Sequence, residues 1–453
     1  MGKITLEQAA QWCGGVVADK YKDITFLGAN NDTRKLQAGQ LFVALQGVRD
    51  GHDFIPAALE KGAAAVLCTH CDGNYPAIVV QDTRIALGDI ARQERLRIGM
   101  QVVGITGSVG KSTTKEMIAT VLQSTYRVSK TPVNHNNDIG MPMSILAMPE
   151  DTQIAVLEMG MNHFREIAYL TSIAKPDVAV IINIGTMHIE HLGSKEGILQ
   201  AKLEILEGMA PGKPIVLNGD DELLWNLHDR QDMNPVYFGV ENTQAQVVAK
   251  NVAEESGNIT YTVALNGEVY PVELPLEGRH FVLDSLAAIS VGAQFGVPSE
   301  KIRQSLAAFQ NMEGRQQIYQ AKGFTIIEDC YNAGPESMSA ALAVLGNRAG
   351  RKIAVLGDML ELGICTSSEH YKVGRIAAEK ADLVFSYGPN STKVQDGALT
   401  GGMQPTCVRA FTDADQLAQA LRQNALPGDV LLFKGSRGMH MECVLKKFLQ
   451  NEN

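Results

Sequence analysis

Long apolar stretches are missing from this sequence. The longest runs, such as Val178 to Ile182, fall far short of the ~20 residues a membrane-crossing helix needs, and Met1-Gly2-Lys3-Ile4-Thr5 opens no signal-peptide pattern. The expected location is the cytoplasm. Cysteine is scarce: seven residues, an odd number scattered from Cys13 to Cys443, make no disulfide framework and fit a reducing compartment. Cys68-Thr69-His70-Cys71 has the CxxC spacing, yet no second pair lies near enough to complete a zinc site, so no structural metal is expected. Positive charge is also in deficit. Forty Lys and Arg against 50 Asp and Glu leave a net charge of −10, which argues against a general nucleic-acid coat because phosphate backbones are held by basic faces. Any anionic ligand must therefore meet a local positive site. With 45% hydrophobic and 20% charged residues, the composition is that of a folded enzyme rather than a disordered chain.

The 453 residues amount to about three times the ~150 typical of one domain, so two or three domains are expected. Residues 1–97 alternate short apolar runs (Leu41 to Leu45, Ala63 to Leu67, Ala77 to Val80) with helical stretches, which reads as a small α/β module. From Val102 onward, apolar strands at Val102 to Ile105, Ile154 to Leu157, Val178 to Ile182 and Ile215 to Leu217 alternate with helical segments. That pattern predicts a mostly parallel sheet with helices on both faces. Residues 235 to 276 differ: Val236 to Phe238, Ile259 to Val263 and Val269 to Leu274, with a turn at Asn266-Gly267, read as antiparallel strands appended to that sheet. A third unit near Gly314 carries strands at Phe324 to Ile327, Ile353 to Leu356, Leu383 to Phe385 and Val430 to Phe433, as in a Rossmann-like domain. The expected architecture is α/β with three domains, at 1–97, 98–313 and 314–453, the central one being of phosphate-loop type.

The strongest local signal is Val102 to Ile105 followed by Thr106-Gly107-Ser108-Val109-Gly110-Lys111-Ser112-Thr113 and a helical segment. A strand delivers a turn whose backbone N–H groups and helix dipole converge where phosphate oxygens can sit. Gly107 and Gly110 permit close approach, Lys111 adds a point charge, and Ser112 can place a hydroxyl on Mg²⁺. The strict motif has a glycine five residues before Gly110, where this chain has Ile105, so the match is to a shorter variant.

Ligands in parallel sheets gather beyond the carboxyl ends of strands. Glu158 ends one such strand and is a hard oxygen donor suited to Mg²⁺; Asn183 and His188 follow another. On composition alone His188 reads equally as a surface or packing group, and Lys202 reads as the solvated face of a mixed helix.

Several separate motifs together resemble the Mur ligases of peptidoglycan assembly over essentially the whole chain. Asp32-Thr33-Arg34-Lys35-Leu36, Leu41-Phe42-Val43-Ala44-Leu45 and Gly51-His52-Asp53-Phe54 are similar to the family's amino-terminal domain; Thr106 to Thr113 resembles its ATP loop, and Asn136-Asn137-Asp138-Ile139-Gly140 the segment after the first helix. Glu158-Met159-Gly160, Met187-His188-Ile189-Glu190 and Ala201-Lys202-Leu203-Glu204 resemble the central carboxylate, histidine and lysine motifs. Gly278-Arg279-His280 and Gly314-Arg315 resemble the hinge and the start of the third domain, and Glu328-Asp329-Cys330-Tyr331-Asn332-Ala333 the family's strand end that contacts the nucleotide sugar. Phe281 and Asp284 stand where the family usually has asparagines. In the third domain, Gly357-Asp358-Met359-Leu360-Glu361-Leu362-Gly363 and Lys434-Gly435-Ser436-Arg437 resemble the dipeptide-adding branch, and the Asp-Asn-Pro-Arg motif of the diamino-acid-adding branch is missing.

The resemblance implies ATP-dependent joining of D-Ala-D-Ala to UDP-N-acetylmuramoyl-tripeptide through an acyl phosphate and a tetrahedral intermediate. It implies ATP contacts at Thr106 to Thr113, Asn137, Asp284, Arg315 and Asp329, and substrate contacts at Thr33, Arg34, Phe42, Ala44, Gly51, His52, Ser436 and Arg437. Two Mg²⁺ ions are implied, on Ser112, Glu158, His188 and Lys202, the last as a carbamate made with CO₂. Lys111, Glu158, His188 and Lys202 are then the catalytic set. A monomer without nucleic-acid or membrane partners is expected. The competing readings are a sister ligase adding a single diamino acid and, further off, a phosphate-loop kinase or NTPase.

Overall fold

The computed structural model describes residues 3–255, 257–265 and 267–450. Near the amino terminus a four-stranded parallel sheet runs β1 (Ala29–Asn30), β2 (Leu41–Val43), β3 (Ala65–Cys68) and β4 (Ala77–Val79) in sequential order. Helix α1 (Thr83–Ile98) follows. Asp82 caps it by accepting from Arg84 N–H and Ile85 N–H, and Gly99 ends it at φ +73°.

The central sheet contains β5 (Gln101–Thr106), β6 (Val128–Lys130), β7 (Ile154–Glu158), β8 (Val178–Ile181), β9 (Pro214–Asn218), β10 (Asn234–Gly239), β11 (Val247–Glu255), β12 (Asn258–Leu265) and β13 (Glu268–Leu274). Their order is β13-β12-β11-β10-β9-β8-β5-β7-β6. Successive residues of its buried strands go to opposite faces, as a period of two requires. Val103, Ile105, Val156 and Val180 join one apolar core with helices α2 (Lys111–Gln123) and α3 (His280–Gln294), while Val102, Leu157, Ala179 and Ile181 join the other. That second core continues through Leu87 and Ile90 of α1 to Leu41 and Leu67 of the first sheet, so the first two sheets share one apolar interior.

The expectation of antiparallel strands across 235 to 276 needs correcting at its start. β10 pairs parallel with both β9 and β11, and the antiparallel hairpins are β11–β12 and β12–β13. β11 was not anticipated: its buried Val247 to Ala249 gives way to Lys250-Asn251 and a register shift before Ala253, which interrupts the alternation. Asn266 of the expected turn lies outside the described residues; Gly267 adopts φ +82°.

The third sheet runs β14-β15-β19-β16-β17-β18, from β14 (Gln317–Ala321), β15 (Phe324–Asp329), β16 (Lys352–Gly357), β17 (Leu383–Tyr387), β18 (Val408–Phe411) and β19 (Val430–Lys434). It is parallel except for β14, which pairs antiparallel with β15. The helix Pro335–Gly346 that follows β15 is α4, and Thr366–Lys380 is α5.

Candidate active site

Strand order reverses around β5, with β7 on one side and β8 on the other, so the carboxyl ends of these strands open onto one crevice. The loop after β5 turns into α2 at Gly110, whose φ is +86° and whose added Cβ would lie 2.7 Å from Asp284 Oδ1. Both facts require glycine there. Asn183, just past β8, accepts from Ser108 N–H (3.0 Å) and Val109 N–H (2.9 Å) and donates from Nδ2 to Val109 O, fixing the loop's shape. Lys111 folds back over the loop, Nζ donating to Gly107 O at 2.8 Å and Ser108 O at 3.3 Å. Burial pulls its pKa down and the Arg315 cation adds to that, while Glu158 opposes them.

Ser112 Oγ donates to Glu158 Oε2 at 2.9 Å, and Asn136 Nδ2 donates to the other carboxylate oxygen at 2.9 Å. From the third region Arg315 Nη2 donates to Ser112 Oγ at 3.2 Å, its guanidinium carbon 3.6 Å from the Tyr331 ring centroid. Lys115 is fully buried, donates to Thr131 O at 2.7 Å and lies 3.9 Å from Glu158 Oε2. Asn136 and Lys115 were not singled out as site residues from the sequence. Lys115, three residues after Ser112, falls on the same stripe of α2, which is the signal that could have found it.

These donors fit a hard cation. One carboxylate and one hydroxyl in contact match the sparse protein ligation of Mg²⁺, whose remaining positions are filled by phosphate oxygens and water. No group of three His, Cys, Asp or Glu side chains forms a metal cluster among the described residues. His188 Nδ1 is a buried nitrogen without a hydrogen bond of acceptable geometry, although Glu361 Oε2 stands 2.8 Å away. Lys202 is 1% exposed, and its amine makes no hydrogen bond or ion pair among the described residues. Burial, with Lys111 as a second cause, drives its pKa well below the usual lysine value. A neutral amine is the form that adds to CO₂, so this environment fits a carbamate.

A cavity of about 880 Å³ joins three regions: Arg84 of α1, the loop at Ser108 to Thr113 with Glu158 and His188, and Arg315, Asp329, Tyr331 and Arg437. Asn137 and Asp284 also line it; Lys202 is not among the lining residues. Asp284 is fully enclosed and accepts from Thr114 Oγ1 at 2.8 Å, and burial raises its carboxyl pKa to about 7. Phe281 is buried in the core against α2, which accounts for an apolar residue at that place. Glu336, missed in the sequence, accepts from Thr186 N–H at 2.9 Å and from Thr186 Oγ1, tying α4 to the loop after β8. Ser436 Oγ accepts from Leu360 N–H and donates to Ala333 O, bracing two loops rather than facing open space.

The remaining residues singled out from the sequence stand apart from this cavity's lining. Thr33 and Arg34 sit on the turn after β1, where Arg34 pairs with Asp32 at 2.8 Å. Phe42 and Ala44 are buried in the core on one face of the first sheet. Gly51 presses on Leu45, and His52 Nε2 accepts from Thr69 N–H while Nδ1 meets Asp50 Oδ1 at 2.7 Å.

Three family models match in sequence order: Mur ligase family, catalytic domain, at residues 23–95; Mur ligase middle domain at 105–292; and Mur ligase, glutamate ligase domain, at 314–437. The UDP-N-acetylmuramoyl-tripeptide–D-alanyl-D-alanine ligase of Bacillus subtilis is 40% identical, the alignment covering 100% of this chain and 99% of that protein. This chain belongs to the Mur ligase family. The Escherichia coli ligase of the same name is 34% identical, over 100% and 99% of the two chains. Among solved structures, MurF from Acinetobacter baumannii matches this Mur ligase with a TM-score of 0.92 at 30% identity over 100% of both chains. MurF from Thermotoga maritima in complex with ADP matches at 0.83 and 31% identity, over 93% and 97%.

Proposed function

We propose that this chain joins D-alanyl-D-alanine to UDP-N-acetylmuramoyl-tripeptide at the expense of ATP, forming the pentapeptide precursor of peptidoglycan in the cytoplasm and acting as a monomer. The observation that carries this reading is the full-length relation to the B. subtilis ligase at 40% identity. No helix among the described residues is long and apolar enough to cross a membrane. Residues 1–97 would hold the uridine nucleotide through Thr33, Arg34, Phe42, Ala44, Gly51 and His52, residues 98–313 ATP, and residues 314–453 the dipeptide.

Making an amide from a carboxylate needs a leaving group on the carboxyl carbon. The tripeptide carboxylate oxygen attacks the γ-phosphorus, the bond to ADP breaks, and an acyl phosphate results. Both reactants are anions, so approach is repulsive until cations stand around them. Lys111 and Arg315 supply two, and the phosphate loop from Thr106 to Thr113 orients the chain of phosphates. Mg²⁺ held by Ser112 and Glu158, with a second ion on His188 and carbamylated Lys202, would neutralise the phosphate oxygens and make the phosphorus more electrophilic. Asn136 and Lys115 keep the Glu158 carboxylate aimed at the loop. The free amine of the dipeptide then attacks the acyl carbon, Lys111 stabilises the oxyanion, phosphate departs, and the ammonium proton leaves to solvent. Arg437, 63% exposed and on the cavity wall, is placed to meet the dipeptide carboxylate, and Asn137, Asp284 and Asp329 to meet the nucleotide. Water would destroy the acyl phosphate, and the contacts from Glu336 and Glu361 to the 186–188 loop hold the third region over the cleft.

The test is product identity. Purified enzyme with ATP and UDP-N-acetylmuramoyl-tripeptide should yield ADP, phosphate and the amide with D-Ala-D-Ala, with one carboxylate oxygen of the tripeptide appearing in phosphate. Reaction instead of UDP-N-acetylmuramoyl-dipeptide with a diamino acid, or a phosphorylated hydroxyl product, would overturn the assignment.

A further inference from the structure

One charged pair on the cavity wall takes no part in the chemistry above. Arg84, the second residue of α1, places Nη1 2.8 Å from Asp138 Oδ2, with the side chains 47% and 32% exposed. The pair spans the seam between α1 and the loop after β6, and both residues line the cavity. Exposed ion pairs contribute little to stability, so a role as a fold staple explains the pair poorly. Nε and Nη2 of Arg84 and Oδ1 of Asp138 make no hydrogen bond among the described residues, so each group keeps capacity for a guest.

Their position relative to the reacting centre is informative. Asp138 lies two residues after Asn136, whose amide holds Glu158. Two residues of extended chain span at most about 7 Å. The same cavity is lined by apolar Met161 and Leu170 and aromatic Phe164 and Tyr169, and Tyr169 OH donates to Arg84 O at 3.4 Å. The other charged groups at this end have partners: Glu166 accepts from Asn162 N–H and His163 N–H, and Arg165 Nη1 meets Glu207 at 2.7 Å. The cavity wall therefore offers apolar surface together with a guanidinium and a carboxylate side by side.

We propose that Arg84 and Asp138 form a subsite for the side chain of the acceptor peptide's third residue, selecting one that ends in both an ammonium and a carboxylate, as 2,6-diaminopimelate does, over one ending in an ammonium alone, as lysine does. This rests on the ligase reading above. Five carbon–carbon bonds separate the activated carboxyl carbon of such a residue from its distal amino-bearing carbon, about 6 Å when zigzagging bonds of about 1.5 Å are extended. That reach is comparable with the ~7 Å that two residues of chain can span between Asn136, whose amide holds Glu158, and Asp138. The free edge of the guanidinium takes the distal carboxylate through two parallel N–H donors, and Asp138 Oδ1 accepts from the ammonium. A lysine side chain leaves the guanidinium unmatched and sets its own cation beside it.

The experiment compares kcat/KM for UDP-N-acetylmuramoyl-tripeptides that differ only in carrying meso-diaminopimelate or lysine, with saturating ATP and D-Ala-D-Ala. Wild-type enzyme should favour diaminopimelate by about tenfold or more. Arg84→Gln should lose about tenfold on that substrate and stay within about twofold on the lysine one, with Arg84→Lys in between, while Asp138→Asn should lower both. Equal use of the two substrates by wild type, a preference for lysine, or equal losses on both in Arg84→Gln would overturn the subsite while leaving the ligase reading intact. Amide formed from neither tripeptide would overturn the ligase reading, and the subsite with it.

Discussion

The central and third sheets are built alike, yet they treat charge at their strand ends in opposite ways. Beyond β15, β16 and β19 the charges are matched within the fold. Lys434 Nζ meets Asp329 Oδ2 at 2.5 Å, and Asp358 accepts from the Asn390 N–H and side-chain amide. His370 Nε2 accepts from Met359 N–H while Nδ1 lies 2.7 Å from Thr366 O, so both ring nitrogens have partners. In the cleft beyond β5, β7 and β8 the groups are poorly matched: Lys111 finds backbone carbonyls, the buried Lys202 amine has no polar partner among the described residues, and Arg315, reaching in from the third region, has an unsatisfied Nε among them. A buried cation without a matching anion is costly unless a guest supplies the charge. The third sheet thus carries Arg437, Glu361 and Glu336 to the cleft, and the unmatched groups of the cleft are those that the phosphate and carboxylate of the proposed reaction would meet.

That contrast can be broken at its strongest point first. Lys202→Ala should nearly abolish amide formation, by roughly a thousandfold or more, because the proposed carbamate would no longer be there to hold a metal ion. Added bicarbonate should not restore it; near-normal turnover would remove Lys202 from the site. Lys111→Ala should cut substrate-dependent phosphate release by roughly a thousandfold, the scale of losing one preorganised charge at a transferring group. A wild-type rate of release would refute the loop assignment. A milder effect is expected at the seam between the sheets. Glu336→Ala removes the carboxylate that holds Thr186, so kcat/KM for the dipeptide should fall about tenfold and more phosphate should be released per amide formed. An unchanged ratio would make the contact purely structural.

The smallest effect is thermodynamic. Burial raises the folded Asp284 pKa to about 7, from an ordinary carboxyl value near 4. The folded state then holds a proton that the unfolded chain has released. This group's contribution is whole below about pH 4 and is lost progressively as pH rises through about 7. Asp284→Asn should flatten that loss, raising Tm by a few degrees at pH 8 and by less at pH 5. Equal shifts at both pH values would show that the carboxyl is not protonated in the fold.

Much of the central region could be read in advance because its signals are local. β5, the glycine turn and α2 are contiguous, and the apolar runs of β7 and β8 end in Glu158 and Asn183 by the period-two logic of a buried sheet. The third region's inner strands were legible for the same reason. β14, β18 and β11 were not: β14 and β18 lie at sheet edges, and β11 has an irregular register, so their residues follow no continuous apolar run. Phe42 and Ala44 illustrate another limit: their motif resembles a substrate segment, and only the structure shows that their side chains pack in the core of the first sheet.

The sequence by itself determined the α/β class, the phosphate loop and the identities of Lys111, Ser112 and Glu158, because backbone conformation and strand periodicity are short-range properties. Tertiary structure alone decided that Lys202 would be a buried amine without a polar partner among the described residues, that Glu336 would reach Thr186, and that Arg84 would face Asp138 54 residues away. Solvation and charge pairing depend on what packs around a group in space, and chain distance carries no record of that.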